Sequence, residues 1–455
     1  MAAQNPPGRP GNLTAEQEEK LRQLWVAVFQ TTGVKDSEPP QVDVPATADA
    51  EPETPKKKRF GLFRKDKSKT SGTETPPKDA TDEDKYGQTA KYHETLANHS
   101  PESIRETIWT MVKHDHPDAL VLRFLRARKW DVEKALVMLV STMNWRQTEM
   151  HLDDDIMKKG EGGAVEDETS ATDEKLKTVG HDFLEQIRMG KSFLHGQDKE
   201  GRPICYVRVR LHKQGEQCEE SLERYTVYLI ETARMVLSPP VDTATIVFDM
   251  TGFSMANMDY TPVKFMIKCF EANYPESLGT VLINNAPWVF QGIWKIIKGW
   301  LDPVVASKVH FTNNKNDMSE FIAPSQILKE LGGDEDWEYK YVEPVAGENV
   351  KMKDVETRDR LVKAREELVK EFEAETLKWI KTPEGEEGKK IKARRDELAA
   401  KLKVDYWNLD PYVRARSLYD RTGALKSDGN VDWYAVKKEE TNGTAAPETS
   451  ADDVD

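Results

Sequence analysis

Four cations, Arg123, Arg126, Arg128 and Lys129, stand among apolar residues in the stretch Leu122–Asp131. Guanidinium and ammonium groups set this close can hold a phosphate or a carboxylate through charge-assisted hydrogen bonds. Spacing alone, however, favours a solvated helix face over an anion site. Bond-breaking chemistry finds less support. The chain has no G-x-S-x-G elbow, no phosphate-binding P-loop, no dinucleotide fingerprint and no H-E-x-x-H pair. Ser221 and Ser254 have no recognisable base beside them, and His195, His212 and His310 have no partner at metal-ligand spacing. Cys205, Cys218 and Cys269 are odd in number and far apart, which fits neither a zinc site nor a disulfide framework and points to a reducing compartment. No catalytic residue, metal or cofactor is expected.

A second unusual stretch follows Tyr274-Pro275-Glu276. A short apolar run (Val281, Leu282, Ile283) reads as a strand buried on both faces, and Asn284-Asn285-Ala286-Pro287 breaks it. Pro287 suits the first turn of a helix that Asn284 or Asn285 can cap. From Trp288 to Leu301 the apolar residues include Phe290, Ile293, Trp294, Ile297 and Trp300, interrupted by Lys295 and Lys298, and Asp302-Pro303 ends the helix. Such a helix is too apolar for an ordinary surface and too short for a bilayer, which needs about 20 apolar residues. It reads either as a core helix or as one that meets water, lipid and protein interior in turn. Tryptophan with snorkelling lysine suits the second role.

The whole chain bounds these choices. Its 455 residues, 38% hydrophobic and 32% charged, suffice for one substantial core with satellites. A formal net charge of −14 disfavours recognition of nucleic acid by overall charge. Neither a secretory leader nor a run of eighteen apolar residues occurs, so a cytoplasmic, soluble protein is expected.

In chain order, 1–33 carries a short helix with a capping box from Thr14 to Gln17 and an apolar stripe of Leu21, Leu24, Trp25, Val28 and Phe29. Residues 34–87 read as a disordered linker, and the basic, phenylalanine-bearing cluster from Lys56 to Lys69 fits either anionic lipid or a solvated charge run. Residues 88–150 form a helical lobe, with Asp131 as the N-cap of its last helix. Residues 151–176 read as a mobile acidic connector. In 177–343, strands Ser192–Leu194, Pro203–Leu211 and Thr243–Phe248 alternate with helices, which argues for an α/β domain with a mainly parallel sheet. Residues 344–438 read as two charged helices and an aromatic stretch that wraps the core, and 439–455 as a disordered acidic tail.

The motifs LRFLRARKWD (Leu122–Asp131), D-x-x-G-R-P (Asp198–Pro203), TIVFDMTGFS (Thr245–Ser254), NYPESLG (Asn273–Gly279), INNAPWVF (Ile283–Phe290), LDPVVASK (Leu301–Lys308) and LGGD (Leu331–Asp334) fall in this order. Together they resemble the CRAL-TRIO lipid-binding family, in particular its fungal phosphatidylinositol transfer proteins, over roughly 101–343. The resemblance implies a helical lobe followed by a sheet-floored pocket for one lipid. A gate helix closes that pocket and matches Trp288–Leu301. It implies that Arg128, Lys129, Glu276 and Lys308 meet the inositol phosphate headgroup, the cations opposing phosphate and Glu276 accepting from hydroxyls. Two departures bear on cargo. Val305 replaces a threonine three residues before Lys308, and Ala244 and Ile246 replace a hydroxyl pair associated with choline lipid. A second lipid is therefore expected to be a sterol, squalene-like or other apolar ligand.

Three function classes follow: a monomeric carrier that moves phosphatidylinositol between the endoplasmic reticulum and other internal membranes; a lipid-sensing regulator or scaffold that presents lipid without bulk transfer; and a hydrolase with an unrecognised site. The missing nucleophile and base disfavour the last.

Overall fold

The computed structural model of the protein describes residues 5–35, 84–382 and 385–435. The basic cluster at 56–69 and the acidic tail at 439–455 lie outside the described residues.

Local sequence sets the helical lobe. Helix α1 (Ala15–Thr32) starts at Thr14 with the expected reciprocal capping box to Gln17. Helix α2 spans Gln88–Asn98, α3 Pro101–Val112, α4 Pro117–Ala127 and α5 Val132–Asn144. Proline stands in the first turn of α3 and α4, where its missing N–H costs nothing. The Asp131 carboxylate accepts from the Lys134 N–H to open α5. The apolar stripe of α1 is buried against α3, α4 and α5, so this short helix is held by packing rather than by its own propensity.

The stretch expected to be a mobile connector is ordered instead. Helix α6 (Met157–Ser170) kinks at Gly160, whose φ of +51° and whose approach to Ala415 (2.9 Å for a Cβ built there) exclude a side chain. Glu161 beside it is buried, accepts from the Tyr228 and Tyr341 hydroxyls at 2.8 and 3.0 Å, and pairs with Arg421. A buried carboxylate holds only when so satisfied, and its partners come from distant parts of the chain.

Helix α7 (Glu174–Arg188) leads to a five-stranded sheet: β1 Ser192–Gln197, β2 Pro203–Arg208, β3 Ala244–Asp249, β4 Leu278–Asn284 and β5 Val309–Thr312. Strand order follows the chain; β1 runs antiparallel to β2 and every later pair is parallel. Helices α8 (Glu219–Met235), α9 (Tyr260–Lys268), α10 (Phe290–Lys298) and the short α11 (Pro303–Ser307) supply the crossovers. One face of the sheet, with Ile204, Tyr206, Val247 and Leu282, packs on the segment carrying Met318, Ile322, Ile327 and Leu328. The other face floors a cavity.

Lobe and sheet domain are riveted by Arg146 just after α5 and Glu231 of α8, 2.7 Å apart and with neither side chain exposed. Tyr274 donates to the same carboxylate at 2.9 Å. The long helices α12 (Val355–Lys381) and α13 (Glu386–Val413) pack on the lobe. Beyond them the aromatic stretch wraps the sheet as expected: the Tyr419 hydroxyl accepts from the Leu194 N–H on edge strand β1 at 2.7 Å, and Tyr406 and Trp407 pack nearby. A covered edge strand cannot recruit another chain.

Candidate lipid-binding site

Alternation of side chains along the strands builds the floor. Cys205, Ile246, Val281 and Val309 are aligned across β2 to β5, with Val207, Phe248 and Ile283 forming the rung two residues on. All seven line one cavity of about 270 Å³. Its walls are Leu222, Tyr225 and Leu229 of α8 and Val263, Met266 and Ile267 of α9. Its lid is Phe290, Trp294 and Ile297 of α10 with Leu301 just beyond.

The lid helix is shorter than the expected Trp288–Leu301, and neither asparagine caps it. Asn285 has a φ of +56° and donates to Thr251, the Asn284 carbonyl oxygen of the side chain accepts from Thr312, and the helix begins after Val289 without a side-chain cap. The apolar residues divide by face. Phe290, Ile293 and Ile297 are buried, and Trp294 stands edge-on to Phe311. Trp300 meets Tyr260 edge-on and the Lys264 ammonium. Trp288, 87% exposed, and Ile296, 48%, face outward.

At the start of β4 the cavity meets charge. The Lys308 ammonium donates to the carbonyl of Leu278, a floor residue, at 2.7 Å. Burial pulls the Lys308 pKa down, with Glu276 opposing the shift and Arg9, Arg202 and Arg126 adding to it. Glu276 itself has a φ of +56°, a strained conformation for a residue with a Cβ. Arg123 holds it there, donating to the Glu276 carbonyl at 2.8 Å and to the Asp242 carbonyl at 2.6 Å.

Of the cations expected at the headgroup, Lys308 thus adjoins Glu276, while Arg128 donates to Gln88 and Lys129, with a φ of +52°, is exposed. Arg126, also of that cluster, approaches the Glu276 carboxylate at 4.0 Å and bonds Asp242 at 3.2 Å. Burial brings the Arg126 pKa down to about 10 against the pull of Asp242. The solvated face expected of this cluster is corrected for Arg123 and Arg126, which are turned inward. Their spacing of three residues on an apolar helix was the available signal.

Sequence reading also missed the N-terminal strap. Arg9 grips Asp242 with two hydrogen bonds of 3.0 and 3.1 Å, and the Gly8 carbonyl accepts from Arg126 at 2.8 Å. Gly8 has a φ of +76°, and a Cβ there would stand 3.2 Å from Arg126 and 3.3 Å from Trp130. Arg9, Arg123, Arg126 and Lys308 therefore gather around two carboxylates, Asp242 and Glu276, an excess of positive charge suited to a phosphate. Among the described residues no helix is long and apolar enough to cross a membrane.

Comparison with known proteins agrees with this architecture. Residues 187–333 match the CRAL/TRIO domain and 90–141 the CRAL/TRIO, N-terminal domain. A CRAL-TRIO domain-containing protein of Schizosaccharomyces pombe is 43% identical over 92% of this chain and 92% of its own. Phosphatidylinositol transfer protein CSR1 of Eremothecium gossypii is 40% identical over 92% of this chain and 98% of its own. Phosphatidylinositol/phosphatidylcholine transfer protein SFH4 of Arabidopsis thaliana is 29% identical over 47% of this chain and 35% of its own. With two relatives aligned over 92% of the chain at this identity, the chain belongs to the CRAL/TRIO family.

Proposed function

We propose that the protein binds one phosphatidylinositol molecule at a time and carries it between membranes without covalent chemistry. The observation that carries this reading is the junction at Leu278, which lines the apolar cavity and receives the Lys308 ammonium on its carbonyl, so that charge begins where the floor ends. A two-chain phospholipid has about thirty methylenes at about 0.8 kcal/mol each, so something on the order of 25 kcal/mol resists its passage through water. A carrier must replace the bilayer with a dry chamber and a door. The paired rungs of β2 to β5 serve as chamber and α10 as door.

At the headgroup end Lys308 and Arg126 oppose the phosphate and Glu276 accepts from inositol hydroxyls. The role asks for no nucleophile, base, metal or cofactor. The full-length relative from Eremothecium gossypii, named for phosphatidylinositol transfer, supports the cargo. Ile246, one of the two residues that stand in place of the choline-associated hydroxyl pair, faces the cavity, which favours an apolar second lipid. The exposed Trp288, Val289, Ile296 and Val304 suit a transient contact with internal membranes, made by a cytoplasmic monomer.

The test is to extract lipid from protein purified out of its own cells, identify it by mass spectrometry, and measure vesicle-to-vesicle transfer. Phosphatidylinositol both bound and moved is the expected result. Protein empty of phospholipid that also fails to load from phosphatidylinositol vesicles would overturn the reading, and loading without transfer would assign it a presenting role.

A further inference from the structure

The cavity has a second polar corner that a phosphatidylinositol molecule leaves idle. Lys308 and Leu278 lie at the start of the parallel strands, where Leu278 pairs with Ala244. The second corner lies at their other end, beside β1, because Ser192 pairs with Val207 and Lys191 stands one step beyond. At about 3.3 Å per residue and about 4.8 Å per strand, the two corners are roughly 16 Å apart along the strands and up to about 19 Å across them. Gln186, Lys191, Ser192, His212, Asn257 and Asp259 all line the cavity here.

Lys191 is 5% exposed, yet its ammonium meets only neutral acceptors: Gln217 Oε1 at 2.8 Å and Gln186 Oε1 at 3.3 Å. Gln186 cannot turn away, since its amide nitrogen is held by Ser221 and by the Asp182 carbonyl. An ammonium offers three protons, so one remains for a further acceptor. Among the described residues no carboxylate stands within ion-pairing distance of it; Glu216, Asp182 and Asp259 act on it only from farther off. His212 Nε2, also at this corner, is buried without a hydrogen bond; the nearer Asp259 oxygen stands 3.4 Å away and the other accepts from the Thr261 N–H. A buried charge facing apolar surface is costly unless an opposite charge completes it. The methyl ends of a phospholipid headed at Lys308 would leave both donors unmet. A ligand with one anionic head and one apolar tail would satisfy both and lay its tail along the same floor.

We propose that the Lys191 corner is a second headgroup site, which takes the carboxylate of a long-chain fatty acid between the Lys191 ammonium and His212 Nε2. The site rests on the reading that the cavity holds lipid, but it differs in cargo and in the end of the cavity that reads the head.

The test uses delipidated full-length protein offered oleate and oleyl alcohol separately from cyclodextrin, with bound ligand counted by mass spectrometry. The two probes share a tail and differ in the charge of the head. A charge-assisted hydrogen bond is worth enough for about tenfold. Wild type should hold oleate about tenfold more tightly than oleyl alcohol, and Lys191→Met should erase the preference while still loading phosphatidylinositol. Equal affinity for the two probes in the wild type, or an unchanged preference in Lys191→Met, overturns the site. If wild type loads phosphatidylinositol but shows no preference, only this site fails; if it takes none of the three lipids, the cavity reading fails with it. Should Lys191→Met not fold, the wild-type ratio decides alone.

Discussion

The Lys308 ammonium bonds the carbonyl of Leu278 at 2.7 Å, so the base of the cationic cluster and the edge of the apolar floor share one residue. Burial holds the Lys308 pKa below its ordinary value, with Glu276 opposing the shift, and a lipid phosphate would add a further counter-charge. Glu276→Ala and Lys308→Ala should each cut phosphatidylinositol loading by about tenfold to a hundredfold, the worth of a charged hydrogen bond, without lowering the melting temperature of the fold. Lipid extraction with thermal melts checks both, and normal loading in the two variants would refute the headgroup site.

Asp242 gives a prediction of opposite sign. It draws Arg9 and Arg126 onto itself, and although burial works against ionisation, Arg123, Arg9 and Arg126 hold its carboxyl below the usual range. In Asp242→Ala those two guanidinium groups lose their competing carboxylate and become available to phosphate. Retention of phosphatidylinositol should rise several-fold, roughly 1 kcal/mol, while the empty protein melts earlier because buried cations are left unpaired. Faster loss of lipid from this variant would show that the strap positions the site rather than competing for it.

If α10 acts as the proposed lid, substitutions on its two faces should separate loading from delivery. Trp288, Val289 and Ile296 are exposed on it, while Phe290, Trp294 and Ile297 face the cavity. Burying an indole in a membrane interface is worth about 1–2 kcal/mol, roughly tenfold in residence. Trp288→Ala should leave bound lipid unchanged and slow vesicle-to-vesicle transfer by up to that factor. Trp294→Asp, which places a charge among Phe311 and the floor, should abolish loading itself.

Much of this arrangement was legible in the sequence because it rests on short-range rules. Runs bounded by turn residues marked Pro203–Leu211, Thr243–Phe248 and Val281–Ile283 as strands, and Thr14 and Asp131 announced the helices they cap. What escaped depends on residues that meet only in space. Glu161 orders helix α6 through Tyr228, Tyr341 and Arg421, none of them near it in the chain, so an acidic, glycine-bearing segment looked like a connector. Arg123 and Arg126 looked solvated because their acceptors, Asp242, Glu276 and Gly8, lie more than a hundred residues away. Asn284 and Asn285 looked like caps, yet Thr312 and Thr251, from a neighbouring strand and a loop, engage them first. Lys191 carried no local signal, since a lone lysine before a strand is ordinary until the cavity beside it is known.

Lys191 also makes a prediction about pH. Burial brings its pKa from the ordinary 10.5 down to about 8, with Glu216, Asp182 and Asp259 pulling the other way and His212 the nearby titratable ring. Below pH 8 the ammonium is charged in both the folded and the unfolded chain, and the folded state bears the full cost of burying it. Between pH 8 and 10.5 the unfolded chain still holds the proton that the folded one has released, so stability rises with pH across that window. The gain should be about 3 kcal/mol. Lys191→Met lacks this term, and subtracting its unfolding free energy from that of the wild type removes every other lysine and tyrosine. The difference should favour the variant at pH 7 and fade by pH 10.5 in denaturant titrations. Saturating oleate should flatten the wild-type curve, because a carboxylate beside the ammonium restores its proton affinity; a flat difference without oleate would mean that water or a nearby acid already completes the charge.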